Sequence, residues 1–322
     1  MRPSYLDLHA RGELADRVRQ AEAILEDCTL CPRLCHVNRL VSADGICRSG
    51  ALPAVAACHP HFGEERPLVG RGGSGTIFFS SCNLRCAFCQ NWTISHMAEG
   101  HEVTSRHLAA MMVELEAVGC HNINLVTPTH MVPQILAALP YAIEMGLSLP
   151  LVYNTSGYER VETLRLLDGI VDIYMPDVKW MDPQAAVRYA AAADYPEVVR
   201  AAVREMHRQV GDLALDDRGI AARGLLVRHL VMPGQARSTA DVMAFLAREI
   251  SPDTYVNVMD QYGPCADAYR FVEIARPVMA DEFDEALLAA RTAGLRRLDA
   301  DVGRRFPDGA RGRGRDRAAT GS

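Results

Sequence analysis

Three closely spaced cysteines carry the first chemical signal. Cys82-Asn-Leu-Arg-Cys86-Ala-Phe-Cys89 follows Gly75-Thr-Ile-Phe-Phe-Ser-Ser, an apolar run that reads as a strand, so the three thiols share one short loop. Three thiolates can hold three irons of a [4Fe–4S] cube, where a closed electron-transfer cluster uses four. The fourth iron is then open, and an open coordination position is where chemistry happens. Asn83, Arg85 and Gln90 stand beside the thiols as donors that would tune such a cluster. A zinc loop and a set of buried structural thiols are the other readings, although zinc ordinarily draws a fourth ligand from a second knuckle.

A second set lies upstream. Cys28, Cys31, Cys35 and Cys47, at C-x2-C-x3-C-x11-C spacing, are a complete ligand set for one metal. Thiolates suit a zinc ion and an auxiliary iron–sulfur cluster equally, so spacing does not choose between them. Reduced cysteines bracing a loop are the remaining alternative. His36 could replace one thiolate, but reads as an ordinary surface histidine. Cys58, His59, His61, Glu64 and Glu65 also look like metal ligands. Pro60 and Pro67 mark irregular backbone there, so the stretch reads as a connector whose polar groups line the mouth of an active site. Cys120 and Cys265 stand alone and read as buried apolar residues.

The elements that must position these groups alternate regularly. Strand-like runs cover Thr76–Ser81, Asn122–Thr127, Leu149–Ser156, Val171–Lys179, Leu225–Met232 and Tyr255–Gln261. Helical patterns fall near His107–Val118, Val132–Met145, Val161–Leu167, Pro183–Gln209 and Thr239–Glu249, with another at Asp281–Ala293 and a short one within Ala10–Leu25. Strands rich in Val, Ile, Leu and Phe, each followed by a helix, predict an α/β fold with a parallel sheet buried on both faces. The chain divides into an arm over 1–27, a cysteine-rich extension over 28–70, a catalytic body over 71–300 and an Arg/Gly-rich tail over 301–322 that reads as disordered.

Bulk properties exclude several classes. A formal net charge of −6 gives no global attraction to nucleic acid or anionic lipid. No apolar run is long enough to span a membrane, and the first residues lack the apolar stretch of a secretory signal. Ten cysteines in two spaced clusters, without an export signal, point to metal binding and to the cytoplasm.

The motif Cys82-x3-Cys86-x2-Cys89, with aromatic Phe88 before its last cysteine, resembles the radical S-adenosylmethionine (SAM) superfamily. The longer run from Gly75 to Asn91 is similar to pyruvate formate-lyase activating enzyme-like proteins, in a branch carrying an N-terminal four-cysteine segment. The resemblance runs from about Cys28 to about Tyr262. Pattern alone also allows a doubly wound sheet; the resemblance selects a partial (β/α)6 radical SAM barrel with a cysteine-rich N-terminal extension.

In barrels of parallel strands, functional residues collect at the carboxyl ends. Strand two ends in Val126-Thr127-Pro-Thr129-His130, where many members carry a Gly-Gly-Glu run that binds the SAM amine. Here no acid is present, Thr127 stands in its place, and His130 is an acid–base or helix-capping candidate. Strand three brings Asn154, Thr155 and Ser156. Strand four brings Asp177 and Lys179, which alternation points to one side. An Asp/Lys pair in an apolar strand is a functional pointer or a structural plug. The resemblance implies that Lys179 touches the SAM carboxylate and that Asp177, with Asn154, Thr155 and the Met175 carbonyl, holds a monovalent cation; Asn154 stands where the family has an acid. It also implies that Arg228 lies near the SAM ribose or the substrate. Strand six carries Asp260, Gln261 and Tyr262 where activating enzymes have a histidine. Tyr262 is a radical-relay or packed-rim candidate.

The implied activity is reductive cleavage of SAM at a [4Fe–4S] cluster, giving a 5′-deoxyadenosyl radical for hydrogen abstraction. A flavodoxin- or ferredoxin-type donor would supply the electron. Activation of a glycyl-radical enzyme is the target implied by the resemblance. The alternatives are modification of another peptide, a small molecule or RNA, or a non-catalytic iron–sulfur protein.

Overall fold

The computed structural model describes residues 2–299; the predicted Arg/Gly tail lies outside them. The chain opens with helices α1 (Ser4–Ala10) and α2 (Glu13–Ala23), then a long irregular stretch. Strand β1 (Ala54–His61), the short α3 (Arg66–Val69), β2 (Ser74–Phe79), α4 (Trp92–Ser95) and β3 (His101–Glu102) follow. The repeating part is α5 (Ser105–Ala117), β4 (Ile123–Val126), α6 (Val132–Glu144), β5 (Leu151–Thr155), α7 (Val161–Leu166) and β6 (Ile173–Pro176). It continues through α8 (Pro183–Ala190), α9 (Tyr195–Val210), β7 (Ala214–Leu215), β8 (Ala221–Leu230), α10 (Ala236–Phe245), β9 (Tyr255–Met259), α11 (Ala280–Ala293) and β10 (Arg297–Leu298).

The ten strands among the described residues join one mixed sheet, ordered β10-β9-β8-β6-β5-β4-β2-β1-β3, with β7 paired to β8. The six expected strands, β2, β4, β5, β6, β8 and β9, run parallel and neighbour one another in chain order. A doubly wound sheet needs a reversal of that order, and none occurs. The sheet therefore has no switch-point crevice, and its strand ends form one continuous row.

Alternation explains how the sheet is buried twice. Leu151, Tyr153, Tyr174, Leu225, Val227, Val256 and Val258 belong to the main core with the helices. Their neighbours Val152, Ile173, Met175, Leu226 and Tyr255 belong to a separate small core closed by Leu68 and Leu213. A period of two thus sends each strand into two cores at once. Toward the carboxyl ends, the residues in register with the small core turn polar.

Three local expectations are corrected. The N-terminal helical region is two helices, because Gly12 adopts φ 78° between them. The stretch read as one helix over Pro183–Gln209 is also two, broken where Ala191 takes a left-handed conformation. The segment around Pro60 is regular strand: β1 pairs antiparallel with β2, while its other edge is covered by β3 only at Ala54 and Val55. Pro60 stands beyond that cover, where its missing N–H costs no ladder bond. No helix among the described residues is long and apolar enough to cross a membrane.

Candidate active site

The carboxyl strand ends open onto one cleft of about 370 Å³, within the roughly 300–1,000 Å³ usual for small-molecule sites. Cys82, Cys86, Phe88 and Cys89 line it from the loop after β2. Thr127, Asn154, Ser156, Asp177, Lys179 and Arg228 line it from the ends of β4, β5, β6 and β8. The side chains singled out for this site in the sequence, scattered over 147 positions from Cys82 to Arg228, are thus brought to one place.

The cysteine loop is held by its neighbours. Ser81 and Arg85 adopt φ 72° and 54°, conformations unusual for residues with a Cβ, and the loop is fixed around them by long-range bonds. Asn83 Nδ2 donates to the Tyr158 carbonyl (2.9 Å) and the Ala87 N–H to the Tyr189 carbonyl (2.8 Å). Phe88 is buried, edge-on to Trp180 at 5.7 Å and tilted against Tyr262 at 5.9 Å. Two donors already address sulfur: Leu84 N–H to Cys82 (3.4 Å) and Ser95 Oγ to Cys89 (3.2 Å). Such bonds favour a thiolate, whereas burial raises the Cys82 and Cys86 thiols above their ordinary value. A bound cation reverses that balance. Among the described residues no group of three or more His, Cys, Asp or Glu is arranged around a single ion. A cube asks for a different arrangement, because each thiolate binds its own iron.

Lys179 and Asp177 form an ion pair of 2.6 Å, with little of either side chain exposed. Burial pulls the Lys179 ammonium down, but Asp177, with help from Cys86 and Tyr195, outweighs it, and Lys179 stands above its ordinary value. The strand ends at Pro176, so the pair does not sit on regular ladder. Tyr195 on α9 replaces the ladder: its hydroxyl accepts from the Lys179 N–H (3.0 Å) and shares its proton between the Ser156 (2.9 Å) and Asp177 (3.0 Å) carbonyls. Gly157 makes this approach possible. Its φ is 76°, and a Cβ there would stand 2.5 Å from the Asp177 carbonyl oxygen.

Arg228 is not free. It makes a two-point bond to Glu65 (2.6 and 2.7 Å) and also contacts Glu64, while Asn257 Nδ2 donates to Glu65 at 2.7 Å. His61 Nδ1 lies 3.1 Å from Glu64. The upstream His61, Glu64 and Glu65 line the cleft, yet two of their charges are spent on Arg228.

Other expectations fall differently. His130 caps nothing: it is buried, its Nε2 lies 2.7 Å from the Ser80 carbonyl, and burial lowers it to about 4, so its ring is neutral. The Tyr262 hydroxyl is committed to the Ile274 carbonyl at 2.8 Å. Cys265 is only half-buried and donates to the Phe88 carbonyl (3.3 Å). Cys120 is buried, as expected, and His36 is exposed beside Asp27.

Sequence reasoning missed two residues, Tyr195 and Glu159. Glu159 is 1% exposed and accepts from Thr129 (2.5 Å), Thr155 and Tyr153 (3.3 Å), directly behind the Thr155 wall of the cleft. Burial, only partly offset by these bonds, pushes its carboxyl up to about 7. An acid four residues after a strand end is the only signal the sequence offered.

No protein-family model matches the chain. Two crystal structures of Streptococcus suis SuiB resemble parts of it. The form bound to S-adenosylmethionine matches 69% of this chain and 50% of that one at 9% identity and TM-score 0.45. The form bound to precursor peptide SuiA matches 68% and 46% at 9% identity and TM-score 0.43. The chain thus spans about half the length of SuiB, and a likeness at that level passes no role from one to the other. Over 304 residues the chain is 30% identical to the uncharacterized protein MJ0674 of Methanocaldococcus jannaschii, spanning 92% of this chain and 81% of that protein, and it belongs to the family of MJ0674.

Proposed function

We propose that the chain is a radical SAM enzyme, built on a partial (β/α)6 barrel, with a [4Fe–4S] cluster on Cys82, Cys86 and Cys89 and SAM in the adjoining cleft. The observation that carries this reading is the convergence of the three thiols and the Asp177–Lys179 pair on a single cleft. The donor set fits both groups. Three soft thiols suit iron. The Lys179 ammonium suits a carboxylate, and the buried Ser156 hydroxyl, which has no partner among the described residues, suits a polar ligand. When bound on these thiols, such a cluster would supply one low-potential electron for reductive cleavage of SAM.

The protein's own part is placement and exclusion of water. Asp177 keeps Lys179 charged and fixes its reach. Tyr195 locks the backbone that carries both. Phe88, pinned by Trp180 and Tyr262, closes the loop side against solvent. Arg228, already neutralised by Glu64 and Glu65, offers the cleft a fixed polar wall in place of a free positive charge.

A low-potential donor of flavodoxin or ferredoxin type would supply the electron. Hydrogen abstraction from a backbone glycine of a partner enzyme is the target that the resemblance implies. Thr127 at the strand-two end, where the family has an acid, favours a second reading: modification of another peptide or a small molecule. Anaerobic reconstitution with iron and sulfide, then reduction with SAM present, tests the chemistry by 5′-deoxyadenosine release. Cys86→Ala should abolish release, and Lys179→Met should weaken SAM binding by about 10–100-fold, the worth of one charged hydrogen bond. Undiminished release from Cys86→Ala would sink the reading.

A further inference from the structure

Beside the cleft, one chain of contacts runs from a cysteine sulfur toward the surface. Ser95 Oγ donates to Cys89 at 3.2 Å and lies 2.8 Å from His96 Nδ1. The His96 ring stacks on Trp92, with centroids 3.6 Å apart and planes 11° from parallel. Both rings are half-buried, and neither lines the cleft. The end of α4 makes the stack possible: the His96 N–H bonds the Trp92 carbonyl at 2.8 Å, so two residues four apart lie one above the other. Side chains in contact thus lead to Cys89 from outside the cleft, on a side that SAM and its substrate leave free.

The charge acting on this stack is positive, in a chain whose net charge is −6. Burial first, then Arg85, holds the His96 ring below its ordinary value, and Arg48 acts in the same direction. Asp267 acts against them, but is itself paired with Arg270, Nη1 to Oδ2 at 3.5 Å. Arg48 and Arg85 stand close enough to oppose each other's charge, and neither meets a carboxylate among the described residues. Arg85 Nη1 is buried with no partner there. Arg48 is exposed, next to the small cavity lined by Cys28, Cys31, Cys35 and Cys47. Of the charges that act on His96, the two guanidiniums are therefore unpaired and the carboxylate is paired. Exposed side chains with apolar surface accompany them: Met97, next after His96, is 69% exposed, and Tyr269, beside Arg270, is 64% exposed. Met, Tyr and Arg are types that interfaces favour. A local positive field on an acidic protein draws an acidic partner to one face.

We propose that the face around Trp92, His96 and Met97 is the docking site of a small acidic one-electron carrier, and that Trp92, His96 and Ser95 lead its electron to Cys89. Met97 and Tyr269 supply the apolar contact, and Arg48 and Arg270 steer the carrier onto it. The step moves one electron and makes or breaks no bond. A flavodoxin hydroquinone is oxidised to its semiquinone, and the electron passes to the cluster proposed on Cys82, Cys86 and Cys89. Cys89 is the point of entry, because Ser95 bonds no other sulfur among the described residues. The proposal rests on the reading of the cleft as a cluster site, and adds the face from which that site is fed.

The test mixes the full chain, reconstituted anaerobically, with a flavodoxin of net negative charge. Arg48→Glu and Arg270→Glu reverse a charge on the face. Arg218→Glu does the same at the exposed turn before β8, at the opposite end of the sheet. At low salt, stopped-flow absorbance should show reduction by the flavodoxin hydroquinone slowed about 10-fold by each of the first two and unchanged by the third, with the gap closing as salt is raised. Dithionite needs no docking, and should drive 5′-deoxyadenosine release at the wild-type rate in all three. Titration with oxidised flavodoxin needs no cluster, and should rank the affinities in the same order. Arg48→Glu and Arg270→Glu reduced by flavodoxin as fast as wild type, or Arg218→Glu slowed as much as they are, overturns the proposal. So does a wild type that releases 5′-deoxyadenosine with dithionite but neither binds flavodoxin nor is reduced by it. Wild type that releases none with dithionite, yet binds flavodoxin in the expected order, defeats the reading of the cleft and leaves the docking face standing.

Discussion

Arg228 and Glu65 meet in a two-point ion pair, Nε to Oε1 at 2.6 Å and Nη2 to Oε2 at 2.7 Å, across 163 positions of sequence. Burial pushes the Glu65 carboxyl up, but Arg228 outweighs it and holds the group below its ordinary value. A carboxylate depressed in the folded state stabilises the protein above its unfolded value, and that stability is lost as pH falls through the folded value. Arg228→Met would strand Glu64 and Glu65 as buried, unpaired carboxylates, at a cost of about 3–5 kcal/mol near neutral pH. Protonation relieves Glu65, so the gap from wild type should shrink as pH drops below 5. Urea unfolding of the two proteins at pH 4.5 and pH 8 measures this. An equal gap at both pH values would show that the pair is not the source.

Glu159 should behave in the opposite sense. Its carboxyl is raised to about 7 by burial, against an ordinary value of 4.5. The folded state therefore holds the proton more tightly, and stability falls as pH rises from 4.5 to 7. The difference amounts to roughly 3 kcal/mol once the group ionises. Glu159→Gln keeps the shape and removes the titration. It should be more stable than wild type at pH 8 and similar at pH 4.5. Parallel stability curves for the two proteins would rule this out.

Tyr195→Phe removes one hydroxyl and leaves the ring in the core. The Lys179 N–H and the Ser156 and Asp177 carbonyls lose their shared partner, at a cost of about 1–3 kcal/mol for buried unsatisfied groups. Because the hydroxyl fixes the backbone of the Asp177–Lys179 pair, SAM affinity should fall with stability. Isothermal titration of the reconstituted protein with SAM, run beside thermal melts, separates the two effects. Lost stability with unchanged affinity would make Tyr195 a packing residue only.

Much of the architecture was legible along the chain. The alternation of apolar strands with helical patterns located six parallel strands and missed only the two-residue β10 beside β9, because a strand feeding two cores must be apolar on both faces. The cysteine spacings were equally plain, since ligands on one short loop are neighbours before the chain folds. Helix ends were less so: the breaks at Gly12 and Ala191 depend on left-handed conformations that packing selects.

What the sequence by itself determined was the set of chemical groups and the two-residue and 3.6-residue periods that place them on strands and helices. What only the tertiary structure decided was which of those groups face one another. Arg228 reads as a free cation in the sequence, and is paired with Glu64 and Glu65 only in the fold. Tyr195 is one more helical tyrosine until α9 lays its hydroxyl across the end of β6. The four upstream cysteines are only a spacing in the sequence until the fold gathers them, with Arg33, Arg39 and His130, around one small cavity. Sequence periodicity fixes direction within one element, whereas charge balance and hydrogen bonding are settled between elements, and those meetings exist only once the chain has folded.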